Sequence, residues 1–545
     1  MMNAIYHVPQ PKNEPIKPYA PGSPERAELK AKLKEMRSTE IEIPLIIGGK
    51  EVRTGNFGTC VIPHEHGHVL ARYHKAGPEE LKLAILSAMD MWTCWSRTNY
   101  QERVAIVWKA AEIIANRMRS TLNAATMLGQ SKTAHQAEID AACELIDFLR
   151  MNTYFMQLIY QIQPENFEAT WNRLEYRPLE GFVFAISPFN FTAITGNLSM
   201  APALAGNVVL LKPASTAVYS AYYIMQAFRE AGLPDGVINF VPGDSMVMTQ
   251  HVLTHRDLAG VHFTGSNSSF NQIWKTISDN LTSYKSYPRI VGETGGKDFA
   301  VVHASADVKG AATGLVRGAF EYQGQKCSAT SRAYISKSIW PALERQLKEF
   351  LARVKVGPVE DFTNFMGAVI DKKAFDDIVS YIEYARHHRD AEIVHGGTYD
   401  DRTGYFIDPT IVVTRDPHFK LMEEEIFGPV LTVYTYDDND YERVLRLCDT
   451  TSPYALTGAV FAQDRIAIAL ADDRLRHAAG NFYINDKTTG AVVGHQPFGG
   501  ARASGTNDKA GSIYNLLRWI SVRTIKECFA SPQDIGYPFL ARDSE

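Results

Sequence analysis

The sequence predicts an α/β fold with two parallel-sheet units and a helical segment ahead of them, and three patterns predict it. From Gly181 short apolar runs alternate with helical stretches: Phe182–Ile186, Val208–Leu211, Val237–Val241 and Val261–Phe263. Parallel strands need a long crossover, usually a helix, and strands covered on both faces read as unbroken apolar runs. A second alternation opens with Phe299–His303 and a helical stretch from about Asp307 to Phe320, which leads directly to Cys327. Ahead of both, residues 80–160 carry Leu81, Ala84, Ala88, Trp92, Val104, Val107, Ala111 and Ile114 near helical spacing, so they form core-facing helices.

Taken in order, residues 9–22 are proline-rich and read as an extended arm, and Ser23-Pro24-Glu25 supplies a cap, a first-turn proline and an acid for a helix to about Met36. The polar stretch 160–178 between the helices and the first sheet run reads as an extended hairpin. A tail from about Ile520 carries Phe529, Tyr537 and Phe539, apolar groups suited to docking on a neighbouring subunit.

Composition narrows the function classes. With 545 residues, 45% hydrophobic and 21% charged content and a formal net charge of -5, the chain reads as globular, without the basic excess that nucleic-acid binding needs. No apolar run approaches the ~18 residues of a membrane helix. The 6 cysteines are scattered without C-x-x-C, which argues against a disulfide framework and a metal site and for a reducing compartment. Met1–Pro9 lacks the basic flank and apolar stretch of a secretory signal, and the first 22 residues contain no arginine, unlike a mitochondrial presequence. The expectation is a bacterial cytosol, or a mitochondrial matrix after removal of a presequence, and not secretion.

In open parallel sheets ligands bind beyond the carboxyl ends of the strands. Those ends carry Ser187-Pro188-Phe189-Asn190, Lys212-Pro213-Ala214-Ser215, Pro242-Gly243 and Thr264-Gly265-Ser266. No G-x-G-x-x-G is present, so that motif supports no dinucleotide site. Gly265-Ser266 opens a helix, however, and helix N-terminal N–H groups suit a pyrophosphate. Cys327 in Gly324-Gln325-Lys326-Cys327-Ser328 and Glu293 in Gly292-Glu293-Thr294-Gly295-Gly296-Lys297 pair a thiol nucleophile with a carboxylate base.

These runs, with Glu424-Glu425-Ile426-Phe427-Gly428-Pro429 and Pro497-Phe498-Gly499-Gly500, resemble the aldehyde dehydrogenase superfamily in order and spacing over roughly residues 45–525. Within it the chain looks most like the branch that oxidises Δ1-pyrroline-5-carboxylate, the cyclic form of glutamate γ-semialdehyde. The cues are Ser-Pro-Phe-Asn-Phe-Thr-Ala-Ile at 187–194, Gly-Gln-Lys-Cys-Ser at 324–328 and Thr-Gly-Ala at 489–491.

The resemblance implies an NAD-binding domain over 48–156 and 179–295, a catalytic domain over 296–500, an arm and helix over 1–47, and oligomerisation elements at 157–178 and 501–545. It implies a homodimer or larger homo-oligomer, with no nucleic-acid or membrane partner. Cys327 would attack the aldehyde, Asn190 would donate to the oxyanion and Glu293 would activate water. NAD would contact Ser187, Pro188, Phe189, Lys212, Ser215, Gly243, Gly265, Ser266, Asn267, Ser268, Ser269, Glu425 and Phe427. Lys326, Ser328, Gly490 and Ala491 would hold the substrate carboxylate, Glu144 its ammonium, and Phe191 and Phe498 its aliphatic stem.

Two departures from the family pattern stand out. Many members have Glu where this chain has Ser215, a residue that repels the 2′-phosphate of NADP, so NAD is favoured while NADP use stays open. One common pattern has Ser at Ala491, which leaves only the backbone for a role there. Three alternatives stay open: a dehydrogenase for another semialdehyde or an aliphatic aldehyde, a non-catalytic binding or structural relative, and a cysteine hydrolase. Retention of Asn190, Glu293 and Cys327 together argues against the second, and the lack of a histidine motif paired with Cys327 against the third.

Overall fold

A computed structural model describes residues 7–543; Met1–Tyr6, part of the segment read for a targeting signal, and the last two residues of the tail lie outside the described residues. A 7-stranded sheet forms the first unit. Its strands run Arg289–Glu293, Leu258–Thr264, Phe182–Ile186, Val208–Lys212 and Ile238–Phe240 in mutual parallel register, followed by Leu45–Ile47 and Lys50–Val52 in antiparallel pairing. Val208–Lys212 and Leu258–Thr264 are buried along their whole length, as strands covered on both faces are. Chain order reverses between Phe182–Ile186 and Leu258–Thr264, so a crevice opens at their carboxyl ends.

The second unit is also a 7-stranded sheet, in the order Ala391–His395, Thr410–Thr414, Val430–Tyr436, Thr330–Ser336, Asp298–Val302, Thr457–Phe461 and Asn481–Ile484, with the first strand antiparallel and the others parallel. Successive side chains of a strand face opposite ways. Phe299 and Val301 accordingly pack into the core on one side of this sheet, and Ala300 and Val302 into the core on the other.

The helix Pro24–Arg37 forms with Ser23 as its cap, the hydroxyl accepting from the Arg26 N–H at 3.3 Å. The stretch expected to fold on itself as a hairpin does not. Leu145–Tyr160 continues as helix to Tyr160, and Thr170–Pro178 pairs instead with Ile520–Cys528, in register from Pro178 opposite Ile520 to Thr170 opposite Cys528. Polar alternation marks a strand without specifying its partner.

Candidate active site

Cys327 lies on a backbone turn held in an unusual shape. After the helix Val308–Phe320, Tyr322 (φ 53°) and Gln323 (φ 56°) adopt left-handed conformations that cost non-glycine residues about 1–3 kcal/mol each. The Gln323 carboxamide offsets this: Nε2 donates to the carbonyls of Ala368 (2.6 Å) and Ser131 (3.0 Å), and Oε1 accepts from the Gly367 N–H (3.0 Å). Gly324 follows with φ 66°, and a Cβ there would lie 2.2 Å from the Gly428 carbonyl oxygen, so only glycine fits. The turn delivers Cys327 to the junction of the two sheets, 9% exposed.

Facing it is Glu293, the last residue of strand Arg289–Glu293 in the other unit, with Oε1 3.7 Å from Cys327 Sγ. Burial pushes the Glu293 carboxyl up to about 7, with the thiol contact and Lys509 opposing. Burial and the Glu293 charge together push the Cys327 thiol well above its ordinary range. Nucleophile and base therefore stand in contact, and the resting thiol is neutral.

Asn190 is buried, and its Nδ2 donates to the Gln325 carbonyl at 3.1 Å, which brings the amide to the Cys327 turn. A fully buried ion pair sets this segment. Lys132 Nζ is 2.6 Å from Asp140 Oδ2 and 4.0 Å from the centre of the Phe191 ring, while Asp140 accepts from the Thr192 and Ala193 N–H groups at 3.1 Å each. Asp140 thus caps the helix Thr192–Leu204, directly after Asn190 and Phe191. Phe189 meets Phe427 of the second unit edge to face at 5.8 Å.

The crevice of the first sheet holds the other group of predicted residues. Ser187, ahead of Pro188, accepts from the Thr195 hydroxyl at 2.9 Å. Lys212 is buried, and burial lowers its ammonium; among the described residues it forms no ion pair, its nearest acceptor being the Pro213 carbonyl at 3.5 Å. Ser215 is exposed at the start of a short 3₁₀ turn, and Gly243 packs against Ala76 and Met248. Ser266 caps the helix Asn267–Asp279, accepting from the Ser269 N–H at 3.3 Å, with the Ser268 and Ser269 hydroxyls at 3.2 and 2.9 Å. Asn267 ties that helix start to the Ala503 carbonyl at 2.8 Å. Glu425 accepts from the Gly296 N–H at 2.9 Å, and burial pushes its carboxyl up to about 7. A capped helix N-terminus at the switch point, an unpaired buried ammonium and a buried carboxylate fit a pyrophosphate flanked by two ribose groups.

On the opposite side of Cys327 a cavity of about 340 Å³ is lined by Glu144, Phe191, Glu293, Lys326, Ser328, Gly490, Ala491 and Phe498. Glu144 ends a π-helical turn, Glu138–Glu144; burial and Asp140 raise its carboxyl, with Lys132 opposing. Lys326 lies 3.4 Å from Glu321, and burial pushes it down to about 8. Gly490 takes φ 92°. The predicted residues thus separate into a crevice group and a cavity group that meet at Cys327.

Sequence reasoning missed Lys132, Asp140, Gln323 and the arm residues Asn13 and Glu14, which also line or frame the site. Gln323 directly precedes Gly324-Gln325-Lys326-Cys327-Ser328, and an amide able to brace the cysteine turn at that position is the signal it carries. Lys132 and Asp140 are single polar residues in unremarkable stretches, and Asn13 and Glu14 lie in an arm read only as extended.

Residues 53–525 match the aldehyde dehydrogenase family. The chain is 54% identical to the mitochondrial Δ1-pyrroline-5-carboxylate dehydrogenase of Dictyostelium discoideum over 537 residues, 98% of this chain and 96% of that one. The Δ-pyrroline-5-carboxylate dehydrogenase of Mycobacterium tuberculosis bound with NAD superposes with a TM-score of 0.96 at 49% identity, covering 99% of this chain and 100% of that one. The Thermus 1-pyrroline-5-carboxylate dehydrogenase with bound NAD gives a TM-score of 0.90 at 31% identity, covering 96% and 99%. With a thiol and carboxylate facing each other between a nucleotide-type crevice and a substrate-sized cavity, and with similarity running along almost its whole length, this chain belongs to the aldehyde dehydrogenase family.

Proposed function

We propose that this protein oxidises L-glutamate γ-semialdehyde, in equilibrium with Δ1-pyrroline-5-carboxylate, to L-glutamate with NAD, a step of proline degradation. The observation that carries the reading is the Cys327–Glu293 contact at 3.7 Å, placed at the inner end of a cavity that holds both cationic and anionic groups. A zwitterionic aldehyde needs such a pair of poles. Lys326, the Ser328 hydroxyl and the N–H groups of Gly490 and Ala491 receive its carboxylate, Glu144 its ammonium, and Phe191 and Phe498 its methylene stem.

Cys327 gives up its thiol proton to solvent, and Sγ bonds to the aldehyde carbon. Negative charge collects on the former carbonyl oxygen, where the Asn190 amide and the Cys327 N–H donate, each contributing about 3 kcal/mol. NAD, when bound by the Ser266 helix start, Lys212 and Glu425, supplies the acceptor for the hydrogen and electron pair that leave the carbon. An acyl thioester remains on Cys327. Glu293, ionised, takes a proton from water; the water oxygen bonds to the acyl carbon, the C–S bond breaks and the sulfur is reprotonated. A base with a pKa near 7 suits this step at neutral pH.

Solved relatives bound with NAD support NAD as the cofactor, and neutral Ser215 leaves some use of NADP open to test. The ribbon of Thr170–Pro178 with Ile520–Cys528 and the exposed Phe529, Tyr537 and Phe539 suit a homodimer or larger assembly. Among the described residues no helix is long and apolar enough to cross a membrane, and the D. discoideum and Danio rerio relatives are named mitochondrial; the matrix of that organelle is our reading for a eukaryotic source, and the cytosol for a bacterial one. The test is NADH formation from pyrroline-5-carboxylate beside propanal, with NAD and with NADP. A preference for propanal sinks the substrate reading, and a preference for NADP sinks the cofactor reading.

A further inference from the structure

We propose that Asn13, on the proline-rich arm, is a positioning residue for the loop that receives the substrate carboxylate. The arm crosses the mouth of the cavity, and Asn13, Glu14 and Ile16 form part of its wall. All three hydrogen-bonding positions of the Asn13 carboxamide that the structure pairs bridge the two units. Nδ2 donates to Asp147 Oδ2 at 2.8 Å on the helix Leu145–Tyr160, and to the Val493 carbonyl at 2.9 Å; Oδ1 accepts from His495 Nε2 at 3.0 Å. Val493 and His495 belong to the irregular segment after strand Asn481–Ile484 that also carries Gly490 and Ala491.

Val493 is buried against the core of the first unit, while Gly490, Val492, Gly494 and His495 around it are exposed. Gly490 and Gly494 take left-handed conformations open to other backbone shapes, and the segment's own bonds are local, such as the Val492 N–H to Gln496 Oε1 at 3.0 Å. The arm, by contrast, is firmly fixed. Glu14 pairs with Arg150 at 2.7 Å and its N–H donates to Asp147 Oδ1 at 2.7 Å, while the Lys17 N–H and the Tyr19 hydroxyl donate to buried Glu138 at 2.8 Å each. Asn13, fixed on the first unit, thus acts with the Val493 anchor in setting the height of the loop that carries Gly490 and Ala491. Backbone N–H donors reward an anion only when already aimed at it, so loosening the loop costs carboxylate recognition rather than thiol chemistry.

The inference rests on the proposed substrate, and the full-length chain tests both. Wild type, Asn13→Ala, His495→Ala and Ser328→Ala are compared by kcat/KM for pyrroline-5-carboxylate and for propanal, which has no carboxylate. Asn13→Ala should raise KM for pyrroline-5-carboxylate and lower the ratio of the two efficiencies about tenfold, with His495→Ala giving about threefold. An unchanged ratio in Asn13→Ala while Ser328→Ala lowers it overturns the positioning role and leaves the substrate reading standing. An equal fall for both substrates reduces Asn13 to a stability role. A wild-type enzyme without preference for pyrroline-5-carboxylate removes both proposals. If Asn13→Ala fails to fold, the ratio in His495→Ala decides.

Discussion

Replacing Glu293 by glutamine tests the chemistry most directly, because one buried carboxyl governs both a rate and a stability. Its pKa of about 7, raised by burial from the ordinary carboxyl range, corresponds to roughly 3 kcal/mol against the ionised form. In the wild type, thioester hydrolysis should climb about tenfold per pH unit below ~7 and level above it, with about a tenth of the maximal rate at pH 6. Glu293→Gln should lose that limb and fall ~10²–10⁴-fold in steady-state turnover, while a stopped-flow burst of NADH from the first turnover survives. Stability should move the other way. A carboxyl raised in the folded state binds its proton more tightly there, so folding weakens as pH rises from the ordinary glutamate value through ~7, and the penalty is complete above that. Glutamine carries no such penalty, so the variant should melt higher than wild type at pH 8 and equally at pH 4. Loss of the burst would move Glu293 to thiol activation, and a limb near pH 7 that persists in Glu293→Gln, or a lower melting temperature at pH 8, would refute the assignment of the base.

Cys327→Ala should abolish turnover while NAD binding, read by fluorescence titration, persists; residual dehydrogenase activity near wild type would remove the nucleophile. Asn190→Ala should lower kcat about 10²–10³-fold with a smaller change in KM, since its donor acts where charge develops in the transition state. Lys132→Met leaves Asp140 buried without its cation and should cost about 3–5 kcal/mol by thermal or denaturant unfolding, with Lys132→Met/Asp140→Asn recovering most of it. An additive double variant would show that the two side chains do not act as a pair.

The two sheets were legible because strands covered on both faces read as unbroken apolar runs, as Val208–Leu211 and Phe299–Val302 do. The chemistry was legible for a related reason: strand ends and the turn before Thr330–Ser336 carry groups whose types fit one reaction, and Cys327, Glu293 and Asn190 converge as their chemistry requires. The ribbon was misread as a local hairpin because a half-exposed strand such as Thr170–Pro178 carries no mark of a partner at the far end of the chain. Lys132 and Asp140 carried no signal either, since a lysine on a connecting stretch and an aspartate on a helix read as solvated groups until their burial is known.

By itself the sequence determined the fold class and the identity of the reacting groups, because periodicity and residue chemistry are written locally along the chain. Only the tertiary structure decided that Glu293 and Cys327, from different sheets, stand 3.7 Å apart with the carboxyl shifted to about 7, and that Asn13 reaches the Val493 carbonyl across 480 positions of chain. Burial, the local field and contacts between distant segments depend on how the units pack, and no stretch of sequence carries that packing alone.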